Sequence, residues 1–328
     1  MAFSDIVGHK KQWATLRWAL EKGRLHHAYL FVGPEGIGKR TVALALSKAV
    51  HCLEWPRDFC DMCANCARIQ SGNHPDVRII EPAAGKKEVT IQQVRDLERE
   101  LSFRTFSGGK KIAVVDPASL MNVSAQNALL KTLEEPPGDS LLILISTSAG
   151  GLLPTLISRC FRFSFAPLPV NELETFLVSE NKMPREKAGP LARLSMGSLG
   201  RALSPELALL VEKRGEWLKR ISSLDRFDCR GWMALAEELA GDREQAAEFL
   251  EWLAIWYHDL VIYSAAGSDD GLTNRDIMKR MEEQDQDFDR ERLFFLLTQA
   301  SRTARRIQRN VNRRMALENF FAHVVGLF

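Results

Sequence analysis

A glycine-rich loop between an apolar run and a helical pattern constrains this chain more than any other feature. Gly33, Gly36 and Gly38, followed by Lys39, come directly after the apolar run 28–32. Glycines let the backbone approach a phosphate closely, helix N-terminal N–H groups point at it, and the lysine reaches the terminal phosphates. The loop therefore predicts a phosphate-binding P-loop, and with it an α/β domain.

The pattern after the loop supports this fold class. Apolar strands are predicted at 28–32, 112–115 and 141–146, with helices at 41–52 and 124–135 between them. Continuous apolar strands that alternate with helices are typical of a parallel sheet covered on both faces. Beyond about residue 166 we predict helices alone, so the expected fold class is α/β plus all-α.

The change of pattern also predicts the domain boundaries. We expect a nucleotide-binding domain over 1–166 that includes a metal-binding module at 52–66, a small helical domain over 167–205, and a helical domain over 206–328. At roughly 150 residues per domain, a chain of 328 residues has room for two or three cores.

Two positions depart from what a hydrolysing P-loop needs. A Ser or Thr directly after the lysine would ligate Mg²⁺, but Arg40 stands there and Thr41 comes one residue late, about 100° around the helix. The strand 112–115 ends in Asp116, which suits metal support, but Pro117 stands where a glutamate would activate water. We therefore predict a site that does not hydrolyse nucleotide, and leave open whether ATP or ADP still binds.

Four of the six cysteines lie in one short segment, which indicates a metal site. Because the cytosol keeps thiols reduced, such clustering favours metal over disulfides. The spacing suits tetrahedral Zn²⁺ with no open position, which makes the site structural. An iron–sulfur cluster is the alternative, although ferredoxin runs place the fourth cysteine downstream, before a proline. The predicted ligands are Cys52, Cys60, Cys63 and Cys66.

Composition excludes a membrane-spanning protein and gives no global sign of a nucleic-acid partner. The net charge is +2, and the longest apolar stretches (141–145 and 320–328) fall well short of the ~20 residues of a membrane helix. The N-terminus shows no signal-peptide pattern, so we expect a cytoplasmic protein. Near the C-terminus, four arginines are predicted to share one face of one helix, which would contact either DNA or a protein subunit: Arg302, Arg306, Arg309 and Arg313.

Three further motifs complete a recognisable set. Residues 3–8 read Phe-Ser-Asp-Ile-Val-Gly, residues 125–137 end in Leu-Glu-Glu-Pro-Pro, and residues 158–160 read Ser-Arg-Cys. Together with the P-loop and the cysteines, they resemble the bacterial DNA polymerase III clamp-loader subunits of the AAA+ family. The resemblance covers about residues 1–205, and 312–321 is similar to the closing helix of these subunits.

The resemblance implies a small lid domain, a C-terminal collar domain and a pentameric ring with other clamp-loader subunits. Through that complex the partners would be the sliding clamp and primer–template DNA. Arg159 of the Ser-Arg-Cys motif would be an arginine finger that reaches a neighbour's nucleotide, although an arginine there can also bind its own helix end. Gly200 stands where motor subunits carry a sensing arginine, and with Arg40 and Pro117 it matches the non-hydrolysing member.

Two alternatives remain. An active motor ATPase would need Thr41 to take over Mg²⁺ ligation and another acid to replace the missing glutamate. A free-standing, zinc-dependent nucleic-acid-binding module would need a basic face around the cysteines, where the sequence has Asp58, Asp61 and Asn65 instead.

Overall fold

The computed structural model describes residues 7–269, 271–278, 289–309 and 311–327. Most of the predicted motif 3–8 therefore lies outside the described residues. The chain divides into two compact units, which are Met1–Lys182 with Ser195–Ala202, and Met183–Leu194 with Leu203–Phe328. The division into three domains at 1–166, 167–205 and 206–328 stays a prediction.

The first unit contains a five-stranded sheet with every strand pair parallel, as predicted. The strand order is β2-β3-β4-β1-β5. The strands are β1 Ala28–Val32, β2 Val77–Ile80, β3 Lys111–Val115, β4 Ser140–Ser146 and β5 Phe161–Ser164. The three central strands match the predicted runs to within one residue.

The two strands that the sequence did not predict are the edges of the sheet. In β2 only Val77 is buried, and in β5 only Phe163. An edge strand is covered less completely than a central one, so a short edge strand carries no continuous apolar run. Both strands therefore lack the signal by which the central strands were recognised.

Helices cover both faces of the sheet. In the first unit they are α1 Lys10–Glu21, α2 Lys39–His51, α3 Ala64–Gln70, α4 Ile91–Ser102, α5 Val123–Glu134, α6 Pro154–Ile157, α7 Val170–Ser179 and α9 Leu199–Ala202. Side chains alternate along β1, so Phe31 joins the core beneath α2 and α3 while Leu30 joins the core beneath α4 and α5. Full burial of such a side chain stabilises the fold by about 1.5–3 kcal/mol.

The second unit is helical throughout its described residues, which confirms the all-α part of the predicted fold class. Its helices are α8 Arg185–Leu194, α10 Pro205–Ser222, α11 Cys229–Ala240, α12 Arg243–Ala266, α13 Arg275–Met278, α14 Arg290–Gln308 and α15 Arg313–Val324. Its aromatic core includes Trp217, Phe249 and Trp252, with Trp252 and Trp256 stacked 6.4 Å apart. Among the described residues no helix combines the length and apolar character that a membrane span requires.

The predicted C-terminal arginine face needs correction. Helix α14 ends at Gln308 and α15 begins at Arg313, so Arg313 does not continue the row on the same helix. Met315, at the start of α15, is 66% exposed. The prediction failed because a helical spacing was extended through a turn, which apolar periodicity alone does not reveal.

Candidate functional site

The P-loop follows β1 at the carboxyl edge of the sheet and leads into α2. Gly36 and Gly38 have φ angles of 71° and 104°, which residues other than glycine rarely adopt. Gly33 N–H donates to Ser146 O. Lys39 is only 6% exposed, and its Nζ donates to the carbonyl oxygens of Gly33 (2.6 Å) and Pro34 (2.5 Å). The ammonium that should reach phosphate is therefore bound to its own loop.

The tip of the P-loop packs closely on the first turn of α9 and on Ser198 just before it. Gly200 N–H donates to Gly36 O at 2.8 Å, and a Cβ added to Gly36 would lie 2.4 Å from Ser198 Oγ. A Cβ on Gly200 would approach Gly36 O to 3.1 Å. Gly200, singled out in the sequence as the replacement for a sensing arginine, is thus a position where the backbones meet.

Arg40 lies between two carboxylates at the carboxyl edge of the sheet. Its Nη1 forms an ion pair with Glu81 and lies 3.6 Å from Asp116 Oδ2. Glu81 follows β2 and Asp116 follows β3, and the register pairs Ile80 with Val115, so both carboxylates meet at one edge. The sequence reasoning missed Glu81 because it missed β2, whose carboxyl end carries it.

Burial shifts the pKa of both ionisable groups nearest the loop. It raises the pKa of Asp116, with Glu81 acting in the same direction and the Arg40 guanidinium opposing it. It also lowers the pKa of Lys39, which the Asp116 and Glu35 carboxylates oppose. The charges at this edge therefore depend on one another, with Arg40 supplying the exposed positive charge.

Thr41 lies on a different side of α2 from this cluster. It is exposed and lines a depression of about 390 Å³ together with Leu44, Lys48, Phe59 and Asp61. The one-residue displacement thus places Thr41 beside the cysteine segment, which contributes Phe59 and Asp61 to the same depression. Of the predicted nucleotide-binding residues, the structure brings Gly33, Gly36, Gly38, Lys39 and Asp116 to one edge and leaves Thr41 outside.

The four predicted metal ligands come together in the cysteine segment. One Sγ from each of Cys52, Cys60, Cys63 and Cys66 lies within 4.8 Å of the others. Backbone N–H groups donate to three of them, from Cys63 to Cys60 Sγ (3.2 Å), from Cys66 to Cys63 Sγ (3.5 Å) and from Trp55 to Cys52 Sγ (3.4 Å). Such donors stabilise thiolates, which are the form that binds metal.

The sulfur positions fit a tetrahedral dication. Zn–S bonds of about 2.3 Å place tetrahedral sulfurs about 3.8 Å apart, a small contraction of the observed cluster. Burial opposes ionisation of Cys63, yet hydrogen bonds from Leu53 and Cys66 lower its pKa to about 6. Burial raises the pKa of Cys66 to about 12. A bound dication would favour the thiolate at all four positions.

Contacts from α2 and α3 hold the segment on the domain core. Lys48 forms an ion pair with Asp61 and donates to Gln70 Oε1 at 2.7 Å. Asn65 Nδ2 donates to His51 O at 2.9 Å. The segment is therefore built into the first unit rather than attached by a linker.

Arg159 lies just after α6 and bonds within its own chain. Its Nη1 donates to Thr155 O at 2.8 Å, and its Nη2 pairs with Glu134 Oε1 at 2.6 Å. The side chain remains 36% exposed. Burial raises the pKa of the adjacent Cys160 to about 12, so this thiol stays protonated and is not a nucleophile.

Comparison with known proteins identifies the family. A family model described as DNA polymerase III, delta subunit, matches residues 8–169, and one for the C-terminal part of that subunit matches residues 209–324. The DNA polymerase III subunit delta′ of Pseudomonas aeruginosa is 33% identical over 279 residues, 81% of this chain and 82% of that protein. The chain belongs to the DNA polymerase III delta′ family.

The delta′ subunit of Bacillus subtilis is 40% identical over 166 residues, 51% of this chain and 50% of that protein, so this match spans half of that relative's length. The solved structure of a DNA polymerase III gamma-subunit-related protein from Thermotoga maritima covers 95% of this chain and 98% of its own, with 22% identity and a TM-score of 0.45. Membership of the delta′ family confirms the resemblance drawn from the P-loop, cysteine and Ser-Arg-Cys motifs.

Proposed function

We propose that this delta′-family chain is a subunit of the bacterial DNA polymerase III clamp loader, acting in the cytoplasm. It would join other clamp-loader subunits in a pentameric ring and help load the sliding clamp onto primer–template DNA. Within that ring it would not hydrolyse nucleotide. The observation that carries the last point is the placement of Arg40 between Glu81 and Asp116.

A guanidinium at this place cannot replace Mg²⁺ in the reaction. A metal ion would neutralise the charge that develops on the phosphates, whereas the charge of Arg40 is engaged by two carboxylates. Pro117 follows Asp116 and offers no proton acceptor. With Lys39 bonded to Gly33 and Pro34, binding of ATP or ADP must first displace the lysine from its own loop.

The chain's chemical role would then be exercised on a neighbour. Arg159 is partly exposed, always charged, and has the planar fork that matches phosphate oxygens. Its present partner, Glu134, is 53% exposed, and exposed ion pairs contribute only about 0–1 kcal/mol. Exchange of that carboxylate for a phosphate therefore costs little, which supports the proposed arginine finger.

The cysteine cluster would hold one structural Zn²⁺. All four ligands come from the chain, which leaves no position for a substrate. The ion would fix the loop between α2 and α3, and no step of clamp loading needs to pass through it.

A motor ATPase remains the competing function, and one experiment separates the two. The purified chain, the other loader subunits and the reconstituted complex are compared for ATP turnover. We expect background turnover from the chain alone and DNA-stimulated turnover only from the complex. Turnover by the isolated chain that Lys39→Ala abolishes would establish the motor function instead.

A further inference from the structure

The last turns of α14 carry a concentrated positive surface. Four exposed arginines line a depression of about 300 Å³, and we call this set the arginine surface. Its members are Arg302, Arg305, Arg306 and Arg309. The opposite side of the helix is buried through Thr303, Ala304 and Ile307, so packing fixes the direction in which the arginines face.

No carboxylate within the described ranges pairs with these four side chains. Their only described side-chain hydrogen bond runs from Arg305 Nε to Ser301 O, at 3.1 Å. The nearby Glu251 on α12 accepts instead from Gln308. By contrast, Arg220 of this unit pairs with Glu238, and Arg314 pairs with Glu237 and Glu318.

Interaction with the helix dipole accounts for only part of the cluster. Cations at a helix C-terminus gain about 0.3–1 kcal/mol, and the effect falls off within the last turn. Arg302 lies six residues before Gln308, beyond that range. Four like charges so close together repel one another, and a ligand of opposite charge would offset that repulsion.

We propose that the arginine surface binds the phosphate backbone of DNA directly. Seven residues of helix place Arg302 and Arg309 about 10.5 Å apart along the axis. Phosphates follow one another at about 3.4 Å per strand along the duplex axis, so the row faces about three of them. Guanidinium groups match phosphate oxygens in geometry and keep their charge at every relevant pH.

The lining favours DNA over an acidic protein segment. Protein interfaces depend on apolar or aromatic anchors in a desolvated centre, whereas backbone recognition needs charge alone. Among the residues that the structure describes, the lining of the depression consists of the four arginines. The inference goes beyond the proposed function, in which DNA is reached only through the complex.

Binding of labelled single-stranded and duplex oligonucleotides to the full chain, measured by anisotropy over a salt series, tests the proposal. The variant R302Q/R305Q/R306Q/R309Q should bind at least tenfold more weakly at low salt. Its slope of log K against log salt should fall by about two to three, since each of about three lost phosphate contacts removes about 0.7–0.9. Arg302→Gln alone should lower the slope by about one.

A matched control removes the same net charge from ion-paired arginines elsewhere, in the variant R17Q/R78Q/R220Q/R314Q. This control should retain the wild-type affinity for DNA and the wild-type slope of log K against log salt. Thermal unfolding followed by circular dichroism should show that both variants are folded. Equal losses in the two variants would assign binding to overall charge and overturn the proposal. So would unchanged binding by the first variant, or binding of poly-glutamate without binding of DNA.

Discussion

At the scale of single residues, we propose that Arg40 takes the place of Mg²⁺ beside the P-loop. Arg40→Thr places a hydroxyl directly after Lys39 and frees Glu81 and Asp116. We expect nucleotide binding by the wild type, where detectable, to be the same in Mg²⁺ and in EDTA, and binding by the Thr variant to become Mg²⁺-dependent. Titration with a fluorescent ATP analogue measures this.

Arg40→Gln serves as the control, because it frees both carboxylates without supplying the hydroxyl. It should show a weaker Mg²⁺ effect than the Thr variant. A wild-type chain whose affinity already rises severalfold with Mg²⁺ would contradict the proposed role of Arg40.

Arg159 carries the second prediction. We consider a complex in which only the ATP site facing this chain is active. There, Arg159→Ala should lower turnover by about 10³-fold or more, which is the loss that such fingers show. Lysine should not rescue it, because an ammonium lacks the planar fork. Arg162→Ala is the control, because it removes a nearby exposed arginine that lies on β5. Undiminished turnover in the Ala variant would leave Arg159 with its contacts to Thr155 and Glu134 alone.

Asp76, just before β2, gives a pH-dependent prediction. Burial opposes its ionisation, but hydrogen bonds from Ser107 and Phe106 and the Lys111 ammonium outweigh this and hold the pKa of Asp76 well below its usual range. A lowered pKa means that the carboxylate stabilises the fold above its unfolded pKa, about 3.9, and that this stabilisation disappears as pH falls further.

Asp76→Asn replaces one accepting oxygen by an amide N–H that faces other hydrogen-bond donors. We therefore expect the free energy of unfolding at pH 7 to fall by about 1.5–3 kcal/mol. Urea unfolding at several pH values measures it, and the difference from wild type should shrink below about pH 4. A constant difference down to pH 3 would show that the charge of Asp76 is not what stabilises the fold.

Residue types with strict chemical requirements were predictable from sequence, and their spatial partners were not. The glycines, Lys39 and the cysteines can be recognised in the sequence because few other structures require their spacing. Glu81 has no such signature, since its role depends on β2 pairing with β3 in one register. Gly200 was noticed as a missing arginine, but its contact with Gly36 exists only in the folded chain.

At the scale of secondary-structure elements, the same distinction holds. Central strands β1, β3 and β4 are buried on both faces and read as apolar runs, whereas β2 and β5 at the edges do not. The turn between α14 and α15 was missed because the arginine spacing continues through it. Apolar periodicity indicates which face of a helix is covered, but it does not indicate where a charged helix ends.

The cysteine segment gives a prediction at this scale. Protein purified without added metal should contain about one zinc per chain, and Cys63→Ser should release it. Because Cys63 also begins α3, limited proteolysis should then cut between α2 and α3 while the rest of the domain resists. Cys229→Ser, at an exposed cysteine outside the cluster, should change neither result. Iron with visible absorption would establish the alternative cluster.

At the scale of the whole molecule, the proposal requires association with other subunits. Mixed with purified clamp-loader subunits, the chain should appear in a complex whose native mass corresponds to five ring members. Asn274→Leu should weaken the second unit and with it the complex, because Asn274 is fully buried and bonds Asp259, Trp252 and Arg214. Loss of this network should cost about 2–5 kcal/mol. A chain that remains monomeric beside all its partners would argue against the loader role.

The carbonyl oxygens of Gly33 and Pro34 compete with nucleotide phosphates for the Lys39 ammonium, and so act as a built-in competitive inhibitor. A bond to a charged donor contributes about 1.5–3 kcal/mol, so breaking one to admit a phosphate lowers affinity about 10- to 100-fold. Dissolved inhibitors lose effect on dilution, but this one is covalently part of the site and stays at constant effective concentration. The apparent Kd for nucleotide should therefore be raised by one fixed factor, while the binding curve keeps the hyperbolic shape of a single site.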